Sequence, residues 1–347
     1  MHPAIIVLFS FLAAYFSTFL FRAIAVKFNI LDIPNQRKIH KESTPLLGGL
    51  AVFLGVLFVL FFRIIDDRSF FVVFGAAAII LIVGLIDDMK NLSVRFRLIT
   101  QIIAVSILIY FGIKVTFLPN NIFGNTGEIL ITFLWVIGIT NAVNCLDGID
   151  GLASGTAAIG AFFFALISYQ ADQIGLALIS IILAVSCLGF LPHNLGKKKI
   201  FLGDAGSNFI GFMLASIALL GNWGGDNIVR LTIPVLIMAV PIFDMIFTTV
   251  MRVKEEKVTN IAEWMKYGGK DHFHHCLVDL GLKPRYAVIF VYFVAISFGL
   301  SAAMISGESA LAGILSLAQA CIIFAGIATL VVIGKRRRTG WNIAEKK

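Results

Sequence analysis

Eight or more stretches of this chain run longer than the ~18 apolar residues that a helix needs to cross a bilayer, since each residue advances 1.5 Å through a hydrocarbon layer about 30 Å thick. That feature leaves few folds open. Inside hydrocarbon every backbone N–H and C=O must find a protein partner, and a helix does this within its own segment. Composition agrees: 59% of the 347 residues are hydrophobic and 14% charged, against roughly 25% charged in an ordinary soluble domain. The predicted fold class is all-α, a polytopic membrane helix bundle of about eleven spans near 4–26, 47–63, 69–86, 95–113, 128–144, 151–170, 174–192, 206–221, 229–250, 285–305 and 309–334. No linker or low-complexity tract divides it, so residues 1–347 read as a single transmembrane domain whose longest non-membrane stretch is the loop 251–284. A short interfacial helix is expected near 261–267. The first run has no cation ahead of it and no small-residue cleavage site behind it, and is expected to be retained as a helix.

The net charge of +8 is a topology signal and does not point to nucleic acid. Segments 27–46, 87–97, 197–199, 251–285 and 335–347 hold four, three, three, seven and six basic residues, whereas Arg63, Arg68, Lys114 and Arg230 fall in the alternate loops. Basic residues stay preferentially on the cytoplasmic side, so the N-terminus is expected outside and the C-terminus in the cytoplasm. The cysteines, Cys145, Cys187, Cys276 and Cys321, lie far apart without a CxxC pair, and read as small buried hydrophobes.

Ionisable residues at membrane depth cost about 2.5–3.5 kcal/mol on insertion scales, and here they gather at the expected cytoplasmic helix ends. Asp87 and Asp88 close a long apolar helix side by side; their repulsion suits a cation such as Mg²⁺, although a solvated helix cap is the plainer alternative. Asn141, Asn144, Asp147 and Asp150 recur every third residue, on one helical face, before glycines that let the chain turn. Lys197, Lys198 and Lys199 precede Phe201, Gly203, Asp204, Gly206 and Ser207, a basic strip opening a helix whose free N–H groups favour phosphate. The lysines by themselves also serve as a topology anchor. His272, His274 and His275 follow Asp271 in the long loop; without HExxH spacing or a nearby cysteine pair they suit phosphate contact better than zinc. Carboxylates, a phosphate-friendly turn and histidines on one face describe metal-assisted phosphoryl chemistry at the lipid boundary.

At these residues the chain resembles the polyprenyl-phosphate N-acetylhexosamine-1-phosphate transferase family, glycosyltransferase family 4, in its WecA/TagO branch and more distantly MraY. The pieces that match are Leu31, Asp32 and Pro34 with Arg37, Lys38 and His40, Gly48 with Gly49, the Asp87–Asp88 pair, the run from Asn141 to Gly151, Gly203 to Ser207, Pro241 with Asp244, and the His272, His274, His275 triplet. Three features depart from the pattern: Asn91 stands where many relatives complete DDxxD, Ser43 replaces a common proline, and the loop from Arg252 to His272 is longer than usual. The resemblance implies transfer of a sugar 1-phosphate, N-acetylglucosamine 1-phosphate being the expected one, from a UDP-sugar donor to undecaprenyl phosphate. UMP leaves, and a surface glycan is begun. It implies Mg²⁺, with Mn²⁺ as a substitute, held by Asp204 and Asn144. Asp87 or Asp88 would deprotonate or position the lipid phosphate, beside Asp204 as a third catalytic acid. Asp147 and Asp150 would contact the nucleotide and Phe201 would stack on uracil; Asn141, Lys41 and Arg252 join the substrate-binding set, and His272, His274 and His275 would bind the diphosphate or sugar. The expected place is the inner, or plasma, membrane with the site facing the cytoplasm, and a homodimer is compatible with it. The alternative is a transporter or flippase binding a lipid or nucleotide diphosphate, which would set its ionisable residues near the bilayer midplane in related repeat halves.

Overall fold

The computed structural model describes residues 2–33, 43–58, 68–196, 199–260, 263–264, 267, 269 and 271–344, with side chains to residue 335 in the last helix. Among these the chain forms α1 (Pro3–Lys27), α2 (Gly48–Leu57), α3 (Arg68–Lys90), α4 (Val94–Tyr110), α5 (Ile122–Leu146), α6 (Leu152–Gln170), α7 (Ile174–Leu195), α8 (Gly203–Leu220), α9 (Asn227–Ile237), α10 (Ala239–Lys254), α11 (Phe273–Asp279), α12 (Pro284–Met304) and α13 (Ala310–Ala344). Two short strands, β1 (Leu31–Asp32) and β2 (Thr44–Pro45), pair antiparallel.

Local chemistry sets many of the starts. Ser93, Asn121 and Asp226 use their side-chain oxygens to accept N–H groups left open in the first turns of α4, α5 and α9. Pro3 and Pro284 occupy the first positions of α1 and α12, where a missing N–H costs nothing.

The polytopic all-α bundle is as expected, but the count of eleven is not reached among the described residues. Eight helices are long and apolar enough to cross a membrane, or nine if α9 and α10 make one bent span. Three expected spans account for the difference. The segment 229–250 is broken at Met238, and α9 and α10 meet at 76°. Pro241 has no N–H to offer the carbonyl of Ile237, so one bond of the helical ladder is missing where the break falls. The 95–113 segment yields α4, 17 residues long and carrying Arg95, Arg97 and Gln101. Of the 47–63 segment, α2 covers ten residues and 59–67 lie outside the described residues. Most of the interfacial helix expected at 261–267 lies outside them too, with Glu263 and Trp264 helical.

The bundle is built around α8. Within its membrane window 83% of residues are buried, against 11% for α13, which marks α8 as central and α13 as peripheral. Small residues let the neighbours in: Gly49 on α2 meets the backbone of Gly206, Gly84 on α3 meets Ala205, and Gly211 on α8 meets Thr140 on α5. Such close backbone approach fixes the N-terminal turn of α8 against three other helices. Of the cysteines, Cys187 and Cys276 are buried as expected, while Cys145 is half-buried and Cys321 is exposed on α13.

Candidate active site

The site begins with how α8 starts. Phe201 donates its N–H to the Pro45 carbonyl (2.8 Å), and the N–H groups of Gly48 and Gly49 reach the carbonyls of Phe201 and Leu202 (2.9 Å each). The following Gly203 sits at φ +75°, and a side chain there would point into the carboxylate of Asp88, 2.6 Å from its Oδ2. Asp88, at the end of α3, accepts the N–H of Asp204 (2.8 Å) on Oδ1 and that of Ala205 (3.1 Å) on Oδ2. A carboxylate from one helix therefore caps the positive end of another, the arrangement that the dipole of α8 favours.

Asp204 is held from the other side by Asn144, near the end of α5, whose Nδ2 donates to Asp204 Oδ1 and to Ser207 Oγ (2.8 Å each). With both amide hydrogens so used, the Asn144 oxygen has no hydrogen bond among the described residues. Arg97 completes the group: its Nη1 lies 3.1 Å from Asp87 Oδ2 and 3.5 Å from Asp204 Oδ2. Asp87 also accepts the Leu92 N–H (2.5 Å), closing a turn in which Asn91 adopts φ +50°. Asparagine tolerates that left-handed conformation better than most residues, and Asn91 ends α3 instead of adding a third carboxylate. Asp87, Asp88, Asn144 and Asp204 thus come together at one end of the bundle.

Deeper along α4 and α5, Asn141 pairs its amide with Gln101 (2.9 Å), and Asn208 donates to the Asp204 carbonyl (2.8 Å). Arg97, Gln101, Asn141, Asn144 and Asn208 line a partly open pocket whose apolar wall is Ile80 and Val83.

The turn after α5 carries Asp147 and Asp150. Asp150 makes an ion pair with Lys199, and Lys197 and Lys198 lie outside the described residues. Gly151, at φ +79°, donates its N–H to Asn194 Oδ1 (2.5 Å) and accepts the Tyr292 hydroxyl on its carbonyl (2.5 Å), so α6, α7 and α12 all brace this turn. Burial pushes the pKa of Asp147 well up, and the neighbouring charges of Asp204, Asp88 and Asp150 push it further in the same direction. Four carboxylates, Asp87, Asp88, Asp147 and Asp204, are thus offset by Arg97 alone in direct contact among the described residues. That deficit suits a divalent cation.

The histidines form a second group. His272 places Nδ1 2.6 Å from Asp244 Oδ2 on α10, and its Nε2 lies 3.4 Å from Arg252 Nη2, a contact that is a hydrogen bond only when that nitrogen is unprotonated. Burial opposes its charge, but the bond to Asp244 and the contact with Cys145 prevail and raise its pKa to about 10. Arg252 grips Asp271 with two bonds (2.9 and 2.8 Å) and lies over the ring of Tyr267. His274 is buried with neither ring nitrogen hydrogen-bonded, and its Nε2 and that of half-buried His275 lie against Gly148, within 2.8 and 3.0 Å of where a Cβ would stand. The histidines therefore adjoin the Asp147–Asp150 turn. Lys41 lies outside the described residues.

Arg97, Gln101 and Asn208 were not singled out as site residues from the sequence, and Asp244 and Asp271 were named within their motifs without a role. Arg97 and Gln101 carried a usable signal: polar residues four apart on an apolar helix share a face.

A hard cation fits the donors at Asp204 and Asn144. One carboxylate and one amide oxygen leave most positions of an octahedral ion to water and substrate oxygens, the usual manner of Mg²⁺. Among the described residues no three His, Cys, Asp or Glu side chains make a cage of their own, so such an ion would be shared with a phosphate ligand.

Residues 70–222 match the model of glycosyl transferase family 4. The chain is 32% identical over 306 residues to a probable undecaprenyl-phosphate N-acetylglucosaminyl 1-phosphate transferase of Bacillus subtilis, covering 86% of this chain and 84% of that one. This protein belongs to that family. It is also 30% identical over 370 residues to the decaprenyl-phosphate N-acetylglucosaminephosphotransferase of Mycobacterium tuberculosis, covering 96% of this chain and 89% of the relative. Against the undecaprenyl-phosphate alpha-N-acetylglucosaminyl 1-phosphate transferase of Escherichia coli it is 29% identical over 304 residues, 84% of this chain and 79% of the other. The likeness to the family thus runs through both the carboxylate group and the histidine segment of a multi-pass membrane protein.

Proposed function

We propose that this family member transfers N-acetylglucosamine 1-phosphate from UDP-N-acetylglucosamine to a polyprenyl phosphate, with undecaprenyl phosphate the expected acceptor. An acceptor phosphate oxygen bonds to the sugar-bearing phosphorus, and the diphosphate bridge breaks with its electron pair leaving on UMP. The observation that carries the proposal is the pair of hydrogen bonds that Asp88 accepts from the first turn of α8, which brings Asp204, Asn144, Asp87 and Arg97 to one point. The names of the relatives support the sugar and the lipid class.

Asp204 and Asn144 would hold Mg²⁺, or Mn²⁺ in its place. Such an ion, when bound, supplies Lewis-acid withdrawal of charge from the diphosphate. The acceptor is a phosphomonoester with a second pKa near about 6, so at neutral pH it is already largely the nucleophilic dianion. The protein's work is then to orient it and tolerate its charge. Arg97, whose Nη1 is held by Asp87 and Asp204, has its other guanidinium N–H groups to offer the phosphate, with Asp87 positioning it. Asp88, both oxygens committed to backbone N–H groups, acts through the placement of Asp204. Asp147 and the histidines border the space for the nucleotide diphosphate and sugar. The bundle end that carries the site is read as facing the cytoplasm, because the loops there hold most of the Lys and Arg.

Purified protein supplied with UDP-N-acetylglucosamine, undecaprenyl phosphate and Mg²⁺ is expected to release UMP and to stop when EDTA is added. If neither this donor nor any other UDP-sugar yields UMP, the proposal fails.

A further inference from the structure

Helix α11 has seven residues, too few to hold a helix in water without tertiary support. Its N-cap residue, His272, makes no capping bond of its own. The support comes from α10. Asp244, Thr248 and Arg252 stand four residues apart, one above the other on a single helical face, and they grip three consecutive residues of the incoming loop. Arg252 takes Asp271 with two bonds. Thr248 Oγ1 lies 3.3 Å from His272 Nδ1. Asp244, buried and 1% exposed, takes His272 Nδ1 on Oδ2 (2.6 Å) and the N–H of Phe273 on Oδ1 (2.7 Å). That second bond satisfies an open N–H at the start of α11, as a cap would, but from a different helix.

The same carboxylate governs where the next histidines stand. His274 Nδ1 is 3.6 Å from Asp244 Oδ1, and on the far side His274 and His275 press on Gly148, between Asp147 and Asp150. The two rings stand close to that glycine: a methyl group there would come within 2.8 Å of His274 Nε2 and 3.0 Å of His275 Nε2. The spacing between the histidines and the Asp147–Asp150 turn is therefore fixed by how α10 holds the loop.

We propose that Asp244 is a positioning residue for donor recognition, setting, through His272 and the Phe273 amide, how His274 and His275 seat against the Asp147–Asp150 turn, so that turn and histidines together border the UDP-sugar diphosphate. Thr248 and Arg252 extend the same clamp. The inference rests on the transferase reading for its ligand and on the geometry alone for its mechanical part. His272 is then a member of the clamp, and the seat of His274 and His275 beside the turn depends on it.

Asp244→Asn keeps the shape and an oxygen for Phe273 but removes the charge that holds His272. It is expected to raise KM for UDP-N-acetylglucosamine by about tenfold or more, with kcat within about threefold and acceptor KM unchanged. Amide hydrogen exchange over 273–276, followed without substrates, is expected to quicken. Wild-type donor KM with unchanged exchange would overturn the proposal, and so would a collapse of kcat at constant donor KM, which would put Asp244 in the chemistry itself. Should Asp244→Asn fail to fold, Thr248→Val removes one hydroxyl from the clamp and is expected to shift donor KM and exchange in the same direction by a smaller factor; no shift in either would overturn the idea. A wild-type protein that releases no UMP from any UDP-sugar would sink the proposed function, while exchange over 273–276 would still decide whether Asp244 holds the segment.

Discussion

A single methyl group added at Gly84 tests whether the contact between α3 and α8 sets the catalytic geometry. A Cβ at this position would lie 2.5 Å from Ala205 Cα, 2.8 Å from Ala205 N and 2.9 Å from the carbonyl carbon of Asp204, where ordinary contact begins at 3.4 Å. All three atoms are backbone, so no flexible side chain can yield, and the helices must part by about 0.9 Å to restore contact. The bonds from Asp88 to the Asp204 and Ala205 amides, now 2.8 and 3.1 Å, would stretch past hydrogen-bonding length. A displacement of about 1 Å in a reacting group costs on the order of a hundredfold in rate. Gly84→Ala is therefore expected to lower kcat for UMP release about a hundredfold, although it removes no polar atom. Gly75→Ala on the same helix is the control, because nothing lies within 4 Å of its Cβ position. Near-wild-type kcat in a folded Gly84→Ala protein would refute the argument that this backbone contact places Asp204.

Three further outcomes follow from the charges. Arg97→Ala leaves Asp87 and Asp204 without their shared cation, and acceptor KM is expected to rise at least about tenfold with donor KM little changed; an unchanged acceptor KM in steady-state assays would remove Arg97 from the phosphate site. Asp147 has a raised folded-state pKa, so its contribution to folding is favourable at low pH and is lost as pH rises above the unfolded value of 3.8. Asp147→Asn should accordingly melt higher than wild type at pH 7.5 in EDTA, with the gap closing on acidification; a lower melting temperature at pH 7.5 contradicts this. His272 is raised from 6.5 to about 10, so its stabilisation is complete below pH 6.5, erodes as pH climbs, and is gone above about 10. Melting curves between pH 6 and 10.5 should show a loss in wild type that His272→Gln lacks, and parallel losses in the two would discount the ion pair.

The helix bundle was legible in the sequence because lipid leaves the backbone so few choices. Runs of apolar residues fix where helices form, and the bias of Lys and Arg supplies an expected orientation. Local punctuation was less legible. Pro241 announces a break, but whether a proline kinks a span slightly or turns it by 76° depends on what packs around Met238. Arg97 illustrates the same limit at the site. As one of several basic residues after Asp88 it read as part of a charge tally, and it acquires a role once α4 lies beside α8 and its guanidinium falls between Asp87 and Asp204.

The acids and amides at 87–88, 141–150 and 204 could be chosen from sequence because their types and their expense at membrane depth mark them out. Their division of labour could not. Asp87 and Asp88 are chemically identical neighbours, yet successive helical side chains point about 100° apart, so one meets Arg97 and the other caps α8. His272, His274 and His275 are likewise one motif in the sequence and separate environments in the fold: the first is tied to Asp244 and Arg252, and the other two press on Gly148. Sequence alone determined the membrane bundle and the inventory of reactive groups, since both follow from residue type and local spacing. Tertiary structure decided which groups act on substrate and which act on one another, since that depends on contacts between residues more than a hundred positions apart, such as Asp88 with Asp204, that no local pattern encodes.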